Sequence, residues 1–119
     1  MRIGAATVSG SLTVMLFFGS AALADPVGRY AVEGRGPGGG TYRGTATIEA
    51  TGETYRVVWS IGSQTYVGTA VGNDDFFAAS YRSGNATGVA VYGRDGAGWL
   101  GVWTYSGGTS VGAEKLTRR

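Results

Sequence analysis

The sequence predicts an all-β protein: a single antiparallel up-and-down meander of about eight strands, closed as a small barrel. Three observations carry that expectation. From Asp25 onward the chain holds two leucines (Leu100, Leu116), one lysine (Lys115) and no methionine, whereas Val, Thr and Tyr abound; strong helix formers are scarce and strand formers common. Runs of alternating polar and apolar residues recur between clusters of Gly, Asn, Asp and Ser, the spacing of successive hairpins. The links between runs are too short for crossover helices, so consecutive strands must pair with one another.

Residues 1–24 form a separate object. Arg2 is their only charge, Leu12–Phe18 supplies a short apolar run, and Ala22-Leu23-Ala24 before Asp25 has the small-x-small form of a signal-peptidase site. The run is bounded by Gly10-Ser11 and Gly19-Ser20 and falls short of the roughly 20 residues a spanning helix needs. We therefore expect a secretory signal peptide over 1–24 and a mature domain over 25–119, secreted or periplasmic, with no membrane span after signal removal. The chain has no Cys, so that domain must be stabilised by packing alone.

Strands are predicted near 28–34, 40–50, 53–61, 64–72, 75–82, 86–93, 97–105 and 108–116. Turns are expected at Gly36-Pro37-Gly38-Gly39, Thr51-Gly52, Gly62-Ser63, Asn73-Asp74, Ser83-Gly84-Asn85, Arg94-Asp95-Gly96 and Ser106-Gly107-Gly108, where the residues accept tight or left-handed backbone. A sheet of this kind either closes or exposes two edges. Closure of about eight strands leaves an interior that side chains just fill, or that just holds one small ligand. In that arrangement the first strand, near Tyr30, should pair with the last, near Val111.

In the second strand Tyr42, Gly44, Ala46 and Ile48 share one face, opposite Arg43, Thr45, Thr47 and Glu49. In the third, Tyr55, Val57, Trp59 and Ile61 oppose Thr54, Arg56, Val58 and Ser60, so this half of the sheet faces water on its outer side. From the fourth strand onward the split degrades: Phe76 and Phe77 are adjacent, Val89-Ala90-Val91-Tyr92 is continuous, and Leu100 and Val102 oppose Trp99 and Trp103. Apolar residues then occupy both faces, and a second chain or a partner protein is the natural cover for the outer one. A membrane barrel would show the same feature, but Arg43, Glu49 and Arg56 on the outer face oppose it.

One repeat is visible. Thr41-Tyr42-Arg43-Gly44-Thr45-Ala46 returns as Thr65-Tyr66-Val67-Gly68-Thr69-Ala70, with a weaker echo in Trp99-Leu100-Gly101-Val102-Trp103. Each time an aromatic precedes a Gly by two places on the same strand face. Glycine within a strand lets the sheet coil and leaves a gap that a ring can cover. The rings then serve either the bend of the barrel or the lining of a pocket.

The inventory for chemistry is thin. With no His or Cys, catalysis would rest on eight carboxylates. The cluster Asn73-Asp74-Asp75 reads as a hairpin tip. Glu33 and Glu114 sit in apolar or Gly-rich strands, where either is a candidate inward carboxylate paired with an arginine, for instance Arg56 or Arg82. We expect no catalytic residues, no metal and no cofactor. From Asp25 onward nine Lys plus Arg face eight Asp plus Glu, and the cations are scattered singly apart from Arg118-Arg119. That distribution predicts no nucleic-acid footprint. Asn85-Ala86-Thr87 matches a glycosylation acceptor.

Through Gly28-x-Tyr30, the Tyr-x-Gly pairs and Gly101-Val102-Trp103, the region resembles a group of small exported bacterial β proteins of unassigned role. Some of these carry a fibronectin-binding label, which implies adhesion. In outline it is also similar to avidin and lipocalin barrels, whose cups hold small molecules. An avidin-like cup, however, is ringed with inward polar groups, and the only asparagines here, Asn73 and Asn85, fall in predicted turns.

Two functions follow. The first is a non-enzymatic interaction protein that binds a protein partner or forms a homo-oligomer through an outer surface centred on Phe76, Tyr92, Leu100 and Val102. The second is a carrier with a pocket lined by Tyr42, Trp59, Tyr66, Tyr81, Trp99 and Trp103, holding a small apolar or aromatic ligand.

Overall fold

A computed structural model describes residues 25–119; the expected signal segment, 1–24, lies outside the described residues. Eight strands follow one another: β1 (Gly28–Arg35), β2 (Thr41–Thr51), β3 (Thr54–Ile61), β4 (Gln64–Gly72), β5 (Phe76–Ser83), β6 (Ala86–Asp95), β7 (Gly98–Tyr105) and β8 (Gly112–Arg118). Each pairs antiparallel with the next, and β1 pairs with β8 to close the barrel. The last strand is the one element that departs clearly from expectation. Ser106–Val111 form a loop, tied by Gly108 N–H to the Tyr105 carbonyl and by Thr104 Oγ1 to the Ser110 carbonyl. Closure therefore uses Tyr30↔Arg118 through Arg35↔Ala113, and Val111 lies outside the ladder, exposed.

Strand alternation sends one set of side chains inward, and the two ends of the barrel use that set differently. At one end Tyr30, Val32, Ile48, Val57, Phe77, Tyr92, Trp99 and Leu116 are buried to 2% exposure or less. Burying each of these is worth roughly 1.5–3 kcal/mol. The Phe77 ring stacks on Tyr92 at 4.7 Å and meets Trp99 edge-on at 4.8 Å. Trp99 Nε1 donates to the Tyr30 hydroxyl, which donates in turn to the Pro26 carbonyl at 2.7 Å. Arg118 then spans this end, donating to the carbonyls of Asp25, Val27 and Ala97 while lying 4.9 Å over the Tyr30 ring. Arg94 lies 4.3 Å over Trp99. This end is shut.

Glycine makes room for the rings, though across strands rather than along them. The register pairs Tyr42 with Gly34, Tyr81 with Gly88, Tyr92 with Gly101 and Trp103 with Gly112. In each pair the aromatic side chain occupies the space a Cβ on the glycine would need. The Tyr-x-Gly echo thus reflects one inward face per strand, while cover comes from the neighbour: Ile61 over Gly44, Trp59 over Gly68 and Tyr92 over Gly101.

Outside, β1–β3 carry charged and polar residues, including an exposed Arg43–Glu33 ion pair at 2.9 Å. On β4–β7, Val67, Val71, Phe76, Val89, Val91, Leu100 and Val102 are exposed. Register joins several of them into one row, Val71–Ala78–Val91–Val102–Ala113. Tyr92 does not belong to this surface, contrary to expectation. It is 2% exposed, because Gly88, Ala90 and Tyr92 form the inward phase of β6, and the unbroken apolar run from Val89 concealed that phase.

A Cβ at Gly101 would overlap the Tyr92 ring and stand 2.7 Å from the Val91 carbonyl, whereas one at Gly38 meets nothing within 4 Å. Gly101→Ala should therefore lower unfolding free energy by about 1–3 kcal/mol and Gly38→Ala by less than about 0.5 kcal/mol, as measured by urea denaturation.

Candidate functional site: an aromatic cup over a buried glutamate

The opposite end of the barrel is not filled. There β6 turns only Ala86, Gly88 and Ala90 inward, and the larger side chains of the other strands stand around the space instead of crossing it. The result is a cavity of about 410 Å³ lined chiefly by Tyr42, Trp59, Ile61, Tyr66, Tyr81, Trp103 and Tyr105, with Tyr92 and Glu114 among its deeper residues. This volume falls in the range of small-molecule sites. The loops at Gly36–Gly40, Gly62-Ser63, Gly84-Asn85 and Ser106–Val111 surround its mouth.

The rings brace one another. Tyr42–Trp103, Trp59–Tyr81, Tyr66–Tyr81, Tyr81–Trp103 and Trp103–Tyr105 meet edge to face, with planes 67–84° apart and centroids 5.8–6.4 Å apart. Such pairs contribute roughly 0.5–1.5 kcal/mol each beyond area burial. They hold the wall upright without filling the centre.

Beneath them lies Glu114, 6% exposed, projecting inward from β8 between Gly112 and Leu116. Tyr42 donates its hydroxyl to Oε1 at 2.7 Å; Trp59 Nε1 and the Tyr92 hydroxyl donate to Oε2 at 3.0 and 2.5 Å. No arginine or lysine is among its hydrogen-bond or ion-pair partners among the described residues, so the expected pairing with Arg56 or Arg82 does not occur. Both arginines lie on the outward phase of their strands and are exposed. Trp103 Nε1, by contrast, is buried with no hydrogen-bond partner among the described residues. Burial, reinforced by the neighbouring Glu114 charge, pushes the phenols of Tyr42 and Tyr92 well above their ordinary range. Tyr81 is also raised, chiefly by burial and then by its tyrosine neighbours.

Five of the six residues predicted to line a pocket do so together: Tyr42, Trp59, Tyr66, Tyr81 and Trp103. Trp99 does not. It shares a strand face with Trp103, but four residues along a strand span roughly 13 Å, which places it in the filled end, fully buried against Phe77. Of the predicted outer surface, Phe76, Leu100 and Val102 are exposed, at 53%, 54% and 48%, and only Tyr92 is displaced. Ile61 and Tyr105 were not anticipated as lining residues; each continues the inward phase two residues beyond an anticipated ring. Asn73-Asp74-Asp75 is a hairpin tip, where Asn73 Oδ1 accepts the N–H of Asp75 and of Phe76, and Arg94 Nε donates to the Asp74 carbonyl. Among the described residues no group of three or more His, Cys, Asp or Glu could hold a metal ion.

No protein-family model and no curated protein matches the sequence. Among solved structures the fold is similar to a redesigned β-barrel, mFAP1, bound to DFHBI, with TM-score 0.66, 21% identity, and coverage of 81% of this chain and 96% of that one. It is likewise similar to EF1p2_mFAP2b bound to DFHBI, with TM-score 0.64, 16% identity, and coverage of 83% and 97%. At these identities the likeness concerns the barrel fold.

Trp59→Phe removes a donor from a buried acceptor, whereas Trp103→Phe removes a donor that has no acceptor. The first should destabilise the protein by about 1–2 kcal/mol more than the second in chemical denaturation. Because the phenols of Tyr30, Tyr42, Tyr55, Tyr81 and Tyr92 are raised above 10.0, the folded state holds protons that the unfolded chain releases. Their contribution to stability is complete below about pH 10 and is lost as the pH rises further. Unfolding free energies measured across that range should fall, and Tyr42→Phe should make the fall shallower.

Proposed function

We propose that this protein binds a small, predominantly apolar ligand in the aromatic cup at the open end of the barrel. One observation carries the reading: an eight-stranded barrel closed by packed side chains at one end holds a ring-lined cavity of about 410 Å³ at the other. A barrel with no ligand to admit gains stability by filling such a space, since an empty apolar cavity forfeits contacts on every wall. The two similar barrels, each bound to DFHBI, support the same reading. The cup serves binding rather than turnover, and export to the periplasm or exterior would make it a carrier.

Titration with the uncharged probe N-phenyl-1-naphthylamine tests this. Probe emission should rise and tryptophan emission should change to saturation at one probe per chain. Tyr81→Ala should weaken binding by about tenfold, in line with the loss of one ring contact. Leu100→Asp, on the outer wall, should leave it unchanged. The reading fails if no saturable change occurs, or if Leu100→Asp removes binding while Tyr81→Ala does not.

A second reading is favoured by the exposed row Val71–Val91–Val102 with Phe76 and Leu100 beside it, an apolar outer face suited to a protein partner or to self-association. Sedimentation at micromolar concentration should then show a species above monomer mass that Leu100→Asp dissociates. A monomer throughout would remove the self-association version.

A further inference from the structure

We propose that the ligand of the cup is an organic cation, a methylated ammonium carried on a compact apolar or aromatic body, with Glu114 as its countercharge and the rings as its cage; this rests on the ligand-binding reading of the cup. The sign of the site comes first. Among the residues lining the cavity Glu114 is the one with a charged side chain, and no arginine or lysine accompanies it. Three neutral donors, Tyr42, Trp59 and Tyr92, hydrogen-bond to its oxygens but bring no opposite charge. A charge enclosed by rings is weakly screened, so it attracts a cation and repels an anion more strongly than it would in water.

The number of acceptors narrows the cation. A primary ammonium brings three N–H donors that must all be met in a buried site. Oε2 of Glu114 already accepts two hydrogen bonds and Oε1 one, which leaves a single carboxylate lone pair for three N–H groups, and the remaining wall consists of rings, Ile61, small residues and the hydroxyls of Tyr66, Tyr81 and Tyr105. A quaternary ammonium brings no N–H at all. It spreads its charge over methyl groups that pack against aromatic faces, the interaction on which ammonium-binding aromatic cages depend. The cup brings five such rings, Tyr42, Trp59, Tyr66, Tyr81 and Trp103, around one cavity, with the planes of contacting pairs steeply inclined to one another.

The closed end shows the same pairing made internally. There Arg94 lies over Trp99 and Arg118 over Tyr30, each within 5 Å of the ring centre. At the open end the rings and the carboxylate are assembled, while the lining supplies no cation.

The experiment compares four probes of similar size on the folded wild-type protein by tryptophan emission: benzyltrimethylammonium, its uncharged carbon isostere neopentylbenzene, the primary ammonium benzylamine, and the anion phenylacetate. Benzyltrimethylammonium should bind at least about tenfold more tightly than each of the others. In Glu114→Gln the ratio of its affinity to that of neopentylbenzene should fall to about one. If that variant does not fold, the wild-type series decides alone. Equal binding of benzyltrimethylammonium and neopentylbenzene, or tighter binding of benzylamine or phenylacetate, overturns the cation and leaves the carrier standing. If none of the four binds, and N-phenyl-1-naphthylamine does not either, the carrier reading itself falls and the inference with it.

Discussion

Eight strands joined edge to edge enclose an interior whose width is set by strand number, and every inward side chain has to share that width. The chain divides the space lengthwise. At the closed end the inward positions are large and interlocked, and Pro26, Arg94 and Arg118 cover them. At the open end the inward positions of β6 are Ala and Gly, so the rings of neighbouring strands have nothing to cross toward and line a cavity. A filled half that holds the barrel together lets the other half remain empty.

The boundary between the halves falls at Glu114 and Tyr92. Tyr92 belongs to both, stacking on Phe77 below and donating to the carboxylate above. Through Tyr42, Trp59 and Tyr92 the carboxylate ties β2, β3 and β6 to β8 across the barrel lumen. These are long-range links, and they fix the floor of the cup at one depth. Placing a carboxylate there costs desolvation, which three hydrogen bonds offset in part. An apolar residue of similar volume would avoid that cost, so the stability of the fold alone does not account for a glutamate at this position.

Much of this was legible in the sequence, and the gaps have physical causes. The strands, the turns and closure itself follow from residue alternation and the placement of Gly, Asn and Asp. The phase of β2 and β3 could be read because one of their faces is polar. That of β6 cannot, since Val89, Ala90, Val91 and Tyr92 are all apolar, so alternation does not tell that Tyr92 faces inward. Depth along the barrel axis is invisible to alternation: Trp99 and Trp103 share a face yet lie in different halves. Glu114 is legible as inward from Gly112 and Leu116, but its partners are not, because phenol and indole donors, unlike arginine, leave no charge pattern to read. The loop over Ser106–Val111 reads as strand in the sequence because Val111 continues the alternation across it.

The three tryptophans report directly on the division of the interior, because Trp59 and Trp103 stand in the cup and Trp99 in the filled end. Each indole N–H gives its own proton–nitrogen correlation signal. Addition of benzyltrimethylammonium should shift the Trp59 and Trp103 signals in a saturable way and leave Trp99 in place. A shift of Trp99 as large as the other two, or three signals that never move, would contradict a barrel closed at one end and open to a ligand at the other.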